Sequence, residues 1–342
     1  MQAIALPPTA NAPAADAHHE DLRGLWAELE SALALLLDAP LQVQNFAARL
    51  RQLADWLQEL VAHDSDAALY LVFQLAAESS AGYSASHALV SATLCEVLAP
   101  ALGLPAHERQ ALVCAAFTMN IAMTQLQDQL ALQREPPNAA QRAQIERHAL
   151  ESQALLVRLF VDDALWLDTV AAHHPRARAA APLAQLGAAE RLARILASVD
   201  RYGAMLSPRK SRGARSATDS VRVIVGSEPT PEDEVGYALV RSVGLCPPGT
   251  LVRLDNGDTA VVLRRSSRPL QPLVARVLDA RGQPLRTPAL HDTARGAPRI
   301  VAALARLDLA RRITPQTMAL LGVYVGRSRP ADAPAPREAP AV

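Results

Sequence analysis

Apolar residues recur at helical spacing through most of residues 20–245, and this periodicity limits the fold more than any other feature. One helical stripe is formed by residues three or four positions apart: Phe46, Leu50, Leu53, Leu57 and Leu60. Hydrophobic residues make up 50% of the 342-residue chain, which is enough to bury a sizeable core. No apolar run reaches the roughly 18 residues of a membrane span. We therefore expect a mainly α fold without membrane insertion.

The pattern changes near Cys246. The run Pro247-Pro248-Gly249 predicts a turn, and two apolar segments then flank Asn256-Gly257, a pair typical of a β-hairpin turn. The segment 273–278 continues this β pattern. We expect a small β-containing region here, with Arg264 and Arg265 as a solvated strand end.

Composition and periodicity together predict five parts, in line with a length of about two domains at ~150 residues each. In chain order they are a disordered Ala/Pro-rich tail (1–19), an N-terminal helical extension (20–63), a helical domain (64–245), a small β-containing C-terminal region (246–328) and a second disordered tail (329–342). The first tail lacks a positively charged segment and contains three prolines, so we expect no signal peptide.

The charge balance and the cysteines limit the partners and the compartment. Lys and Arg total 34 against 34 Asp and Glu, and a net charge of zero argues against DNA, RNA or an anionic membrane as partner. The three cysteines are widely spaced and form no CxxC pattern, which suits a reducing cytoplasm.

Histidine is scarce, with nine in the chain. Four of the histidines and one aspartate are spread over four predicted helices, with two adjacent histidines at the end of one of them. The candidate metal ligands are His87, His148, His173, His174 and Asp200. Helical bundles build internal metal sites from such inward side chains. The alternative is a polar core in which these groups only hydrogen-bond to one another. Spacing alone leaves both interpretations open.

The sequence motifs around these candidate ligands follow one another in a definite order along the chain. YSASHALV (83–90), RHALES (147–152), the pair His173-His174 and ARILASVDRYGAMLSPRKSR (193–212) follow one another, and CPPGTLVRLDNGDTAVVL comes after them. This series, over about residues 64–290, resembles the HD-GYP family of the HD phosphohydrolase superfamily. The corresponding family motifs are the YSxxHSxxV helix, the HPxxG helix, HHE, ARILAVADxYDAxTSxRPYR and a YPxGSxVxLxxGExAxVL segment.

The resemblance implies an HD-type helical bundle. It makes the five candidate ligands listed above metal ligands, and Arg209 and Arg212 phosphate or nucleotide contacts. Members of the family bind two or three ions, typically iron or manganese, and hydrolyse cyclic di-GMP with a metal-bound hydroxide. For the two arginines, a solvated Arg-rich loop is the alternative.

Three departures from the family pattern affect the metal site. Met119 and Asn120 replace the His-Asp pair of HDIGK, and Met123 replaces its Lys. Pro175 replaces the Glu of HHE, the DGSGYP sequence is missing, and Gly203 replaces the second acid of DxYD. A neutral amide cannot offset two dications as a bridging carboxylate does. We therefore expect at most one divalent ion, iron or manganese by resemblance, and assign no catalytic residue.

We expect a degenerate HD-GYP-like bacterial signalling protein that acts through a partner protein. Cyclic di-GMP is a candidate ligand, and the N-terminal helices are a candidate homodimer interface. The alternative is a metal-dependent phosphohydrolase, or cyclic di-GMP phosphodiesterase, with an altered ligand set. A purely structural adaptor is the third interpretation. The roughly 60 residues before the bundle are too few for a usual sensor domain.

Overall fold

The computed structural model of the chain describes residues 4–5, 13–78, 81–174, 181–206, 219, 234–268, 270–304 and 313–327. Its helices are α1 (Pro13–Asp38), α2 (Phe46–His63), α3 (Ser65–Glu78), α4 (Tyr83–Leu98), α5 (Ala106–Thr118), α6 (Thr124–Leu132), α7 (Ala139–Arg158), α8 (Ala164–Ala172), α9 (Ala188–Leu206), α10 (Glu234–Ser242) and α11 (Pro315–Arg327). The prediction of a mainly helical chain is confirmed. In the part of the chain just given, no helix is long and apolar enough to cross a membrane.

Helix α4 lies at the centre of the helical part. It packs against α1, α3, α5, α6 and α9, and almost every one of its side chains is buried. A helix that is apolar or small on all sides has to be enclosed by other elements. Helix α8 packs against α5, α7 and α9. Trp166 of α8 is fully buried and donates its indole N–H to Thr118 Oγ1 of α5 at 2.8 Å.

The sequence predicts a single helix over 108–126, and the structure breaks it. Helix α5 ends at Thr118, a short 3-10 turn covers Ile121–Met123, and α6 begins at Thr124. Asn120 has φ −109° and ψ 12°, outside the helical region. Thr118 donates its hydroxyl hydrogen to the carbonyl of Cys114 one turn earlier, an interaction that often bends helices. The break therefore falls at Met119 and Asn120.

The strands form one antiparallel sheet in the order β1-β5-β4-β3-β2-β6. Their bounds are β1 (Ile4–Ala5), β2 (Leu251–Leu254), β3 (Thr259–Arg264), β4 (Leu273–Leu278), β5 (Pro284–Asp292) and β6 (Ile300–Leu304). The predicted hairpin is confirmed: β2 pairs with β3 across Asn256-Gly257. Gly257 has φ +87°, and a Cβ there would lie 2.9 Å from Ala280 Cβ, so this turn requires glycine.

Three elements extend into parts of the chain where the sequence predicts no such structure. Strand β1 pairs with β5, and α1 begins at Pro13, so parts of the range 1–19 expected to be disordered lie in regular structure. A proline suits the first position of a helix, where its missing N–H has no partner to lose. Helix α11 lies within the range expected to be β-containing, and it packs back on α1, α3 and β3.

The prediction that Arg264 and Arg265 form a solvated strand end is wrong. Arg264 donates to both carboxylate oxygens of Asp64, at 2.9 and 3.1 Å, and to the carbonyl of Val325 in α11. Arg265 binds Asp66 at 2.6 Å through Nε. The Asp64 side chain is only 3% exposed and that of Arg264 14%. These ion pairs connect the end of β3 to the residues at the start of α3.

Replacing Arg264 with alanine leaves the buried Asp64 carboxylate without its bidentate partner. Because an uncompensated buried charge is costly, we expect Arg264→Ala to lower the free energy of unfolding in urea by about 3 kcal/mol. Arg268→Ala is the matched control, since Arg268 is exposed and its side chain donates to nearby Gln271, and we expect a change below about 0.5 kcal/mol. Equal effects of the two substitutions would contradict the role given to Arg264.

Candidate functional site

Three histidines meet where α7 packs against the end of α8, and we call them the imidazole cluster: His148, His173 and His174. His148 lies on α7, and the other two follow α8 directly. One ligand atom of each lies within 4.8 Å of the others, and the Nε2 atoms of His148 and His173 are 3.1 Å apart. His148 and His173 are buried and His174 is exposed. The cluster therefore has one side open to solvent.

Two backbone carbonyls orient the buried rings. Nδ1 of His148 lies 2.5 Å from the carbonyl oxygen of Ile145, and Nδ1 of His173 lies 2.6 Å from that of Val170. A carbonyl oxygen only accepts, so each Nδ1 carries the hydrogen and each Nε2 of a neutral ring carries a lone pair. Burial lowers the pKa of His148, and it lowers the pKa of His173 to about 3. Both Nε2 atoms are thus set up as donors toward a cation.

His87 of α4 and Asp200 of α9 form a hydrogen-bonded pair. Nε2 of His87 lies 2.8 Å from a carboxylate oxygen of Asp200, and the His87 ring stacks on Tyr83. Burial alone would raise the pKa of Asp200, but the hydrogen bond from His87 and the electrostatic interactions with His87, His173 and His174 outweigh it and hold that pKa well below its usual range. Asp200 thus interacts directly with His87 and electrostatically with two histidines of the cluster.

Met119 and Asn120 lie in the turn between α5 and α6. Met119 is buried in the hydrophobic core and Asn120 is half-buried. The adjoining 3-10 turn packs against α7, where the backbone N–H of Ala122 donates to Ser152 Oγ at 3.2 Å. This turn therefore contacts the helix that carries His148. Within the described ranges, the one group of three or more His, Cys, Asp or Glu with ligand spacing is the imidazole cluster, which contains no carboxylate.

Gly203 faces the His87 ring. A Cβ at this position would lie 3.5 Å from His87 Cε1, Ser91 Oγ and Val90 Cγ1. His87 Nδ1 and Ser91 Oγ are buried, and neither has a hydrogen-bond partner in the part of the chain that the structure describes. The sequence reasoning missed Ser91, although it lies one helical turn after His87 and so on the same face of α4. It also missed the carbonyls of Ile145 and Val170, for which the sequence carries no signal.

The remaining predicted site residues are not all placed. Arg209, Arg212 and Pro175 lie outside the described residues. A pocket of about 1070 Å³ lies elsewhere, between the α4–α5 turn and α10. The residues that line this pocket include the acidic Glu234, which accepts from the Leu183 N–H, and the basic Arg191, which binds Glu108. None of the predicted site residues lines this pocket.

One curated protein shares detectable sequence with the chain. Over 130 residues the chain is 30% identical to a cyclic di-GMP phosphodiesterase of Pseudomonas aeruginosa, and the alignment covers 37% of this chain and 31% of that protein. The match thus spans about a third of the relative's length. No protein-family model and no solved structure matches the chain.

The contact between His87 and Asp200 is testable by a double-mutant cycle. We expect His87→Ala and Asp200→Ala, alone and together, to give a coupling of about 1–2 kcal/mol in the free energy of unfolding, because the two groups share a buried hydrogen bond. The same cycle on the exposed pair Arg147 and Glu151 is the control, with an expected coupling below about 0.5 kcal/mol. A His87–Asp200 coupling no larger than that of the control would show that the pair does not form in solution.

Proposed function

We propose that the protein is an HD-GYP-like signalling protein that binds cyclic di-GMP and a partner protein without two-metal phosphodiester hydrolysis. The similarity to a cyclic di-GMP phosphodiesterase supports the relation to this dinucleotide. The motif order from Tyr83 to Arg212 supports the family assignment. The partner and the loss of turnover rest on the chemistry of the site.

The single observation that carries the proposal is the shortage of negative charge at the site. The imidazole cluster supplies neutral donors, and Asp200 is already hydrogen-bonded to His87. Two divalent ions bring four positive charges, and one carboxylate leaves most of that charge uncompensated in a helical interior. Hydrolysis by the two-metal route needs both ions to hold the attacking and leaving oxygens. Asn120 and Gly203 stand where the family has two further acids.

The proposal gives separate tasks to separate parts of the chain. Arg209 and Arg212 contact the phosphates of the dinucleotide, because planar guanidinium groups match phosphate oxygens in pairs. The N-terminal helices offer a surface for a partner or a second copy, where Leu35 of α1 and Leu41 of the turn between α1 and α2 are exposed.

A metal-dependent phosphohydrolase with an altered ligand set is the second candidate. The observation in its favour is that His174 leaves one side of the cluster accessible. A single bound ion with an open position activates water in many hydrolases. In this case turnover requires His173 and Asp200.

We expect the full chain, supplied anaerobically with iron or manganese, to bind cyclic di-GMP in calorimetry and to release neither pGpG nor GMP in chromatography. Arg209→Ala removes a charged phosphate contact and should weaken binding about tenfold or more. Arg201→Ala, an exposed arginine on α9, is the matched control and should not change the affinity. Metal-dependent release of pGpG that disappears in His173→Ala and Asp200→Ala would contradict the proposal and support the second candidate.

Restoring the missing ligands tests the charge argument. We expect Met119→His combined with Asn120→Asp to raise bound manganese from at most one ion per chain toward two, because the pair adds an imidazole and a bridging carboxylate. Metal content by mass spectrometry after gel filtration measures this. The control replaces the same positions without donors, as Met119→Leu with Asn120→Ala. No gain over this control would show that positions 119 and 120 do not face the cluster.

A further inference from the structure

The solvent-facing side of α7 is apolar, whereas a surface helix usually carries polar side chains there. Leu150 is 62% exposed and Val157 is 54% exposed, and Ala154 between them is exposed as well. These three residues are three or four positions apart and so share one side of the helix, which we call the outer stripe. The side chains that α7 buries lie on the opposite side and are His148, Ala149, Ser152 and Leu156.

Phe160, two residues after the end of α7, adds an aromatic ring to this surface. Its N–H donates to the carbonyl of Val157 at 3.0 Å, and the Val161 N–H donates to that of Leu156 at 3.1 Å. This is the pattern of a Schellman helix end, in which the left-handed residue is usually glycine. Phe160 occupies that position with φ +60° and is 89% exposed. An aromatic residue held in water in a strained backbone conformation points to a contact outside the chain.

The polar groups beside the outer stripe come in pairs that attract each other. Arg147 and Glu151 lie on one side of it, one helical turn apart, and form an exposed ion pair at 2.9 Å. Glu146 and Gln153 lie on the other side, where the amide can donate to the carboxylate. A surface of this kind is complementary to a copy of itself.

Antiparallel pairing of two α7 helices would use these groups reciprocally. In such a two-fold pair, each side of one helix meets the same side of the other. With the axis at Leu150, Arg147 of each copy lies alongside Glu151 of the other. On the other side of the stripe, Glu146 lies alongside Gln153 in the same way. Both sets of contacts therefore form twice.

The apolar groups fit the same arrangement. The two Leu150 side chains meet at the axis, and Val157 lies opposite the small Ala143, so the surfaces can interdigitate. Phe160 reaches the exposed first turn of the second copy's α7, where the Arg142 guanidinium can pack on the ring. Helix α7 has 20 residues and is about 30 Å long, and the contact runs along its whole length.

We infer that the outer stripe of α7 joins two copies of this chain, antiparallel about a two-fold axis at Leu150. A second copy is favoured over an unrelated protein because the groups on both sides of the stripe pair with those of the same helix. The inference goes beyond the proposed function, which assigns no contact to this face. The N-terminal helices then remain for a different partner protein.

Sedimentation of the full chain over micromolar concentrations tests the self-association. We expect the mass to rise with concentration toward that of two chains, without cyclic di-GMP or metal. Leu150→Glu places two like charges at the axis and should raise the dissociation constant at least about tenfold. Leu35→Glu is the matched control, since Leu35 of α1 is 67% exposed, and it should leave the dissociation constant unchanged.

Charge reversal tests the pairing of the two helices directly. Arg147→Glu sets carboxylates against each other across the axis, and Glu151→Arg does the same with guanidinium groups. Each variant alone should dimerise about tenfold more weakly, because two exposed ion pairs become two repulsions. An equimolar mixture of the two variants should regain the mass of two chains, since every charged contact across the axis is then between opposite charges. Damage to the fold of either variant would not be reversed by mixing.

Phe160→Gly separates the contact from the fold. Glycine adopts the left-handed conformation freely, so the urea midpoint of the dissociated chain should not fall, while dimerisation should weaken. Circular dichroism checks that each variant is folded. A folded native chain that keeps the mass of one chain at every concentration would overturn the inference and leave this face to another partner. Dissociation by Leu35→Glu and not by Leu150→Glu would also overturn it, and would place the dimer contact at the N-terminal helices.

Discussion

Two hydrogen bonds to backbone carbonyls determine what the site of this protein can do. The carbonyls of Ile145 and Val170 each accept from the Nδ1–H of a histidine three residues later. Both rings are thereby turned so that Nε2 points into the junction of α7 and α8. Without these contacts, the same histidines would be free to rotate and to hydrogen-bond to each other. The site depends on helix geometry as much as on residue type.

The packing of the helices explains why the cluster and the pair of His87 and Asp200 act as one region. Helix α9 packs against both α4 and α8, and Asp200 on α9 binds His87 and interacts electrostatically with His173 and His174. The carboxylate is the negative charge that the site retains, and His87 already binds it. A site of this composition can neutralise one dication in part, and this charge balance is the basis of our proposal that the protein does not carry out two-metal hydrolysis.

Much of the helical fold could be predicted from the sequence because periodicity reports burial directly. The Asn256-Gly257 turn was equally readable, since few residues adopt its backbone conformation. The break after Thr118 could not be predicted, because apolar residues continue at helical spacing across it. Strand order and the return of α11 to the helices depend on contacts between distant residues, which one sequence does not display.

The candidate site also combines features that the sequence predicts with features that depend on the folded structure. The sequence identified scarce histidines on several predicted helices as candidate ligands, and the structure brings three of them together. Which ring nitrogen faces inward depends on the final geometry of α7 and α8 and was beyond sequence reasoning. The misjudged arginines illustrate the same limit: Arg264 and Arg265 look like a solvated pair until Asp64 and Asp66, about 200 residues away, are placed against them.

The most direct test of the account is a crystal structure of the full chain supplied anaerobically with manganese, with the anomalous scattering of manganese measured. The account predicts at most one anomalous peak per chain, at the imidazole cluster. Two peaks about 3.5–4 Å apart, bridged by a shared oxygen, would be the signature of a two-metal hydrolase and would contradict it.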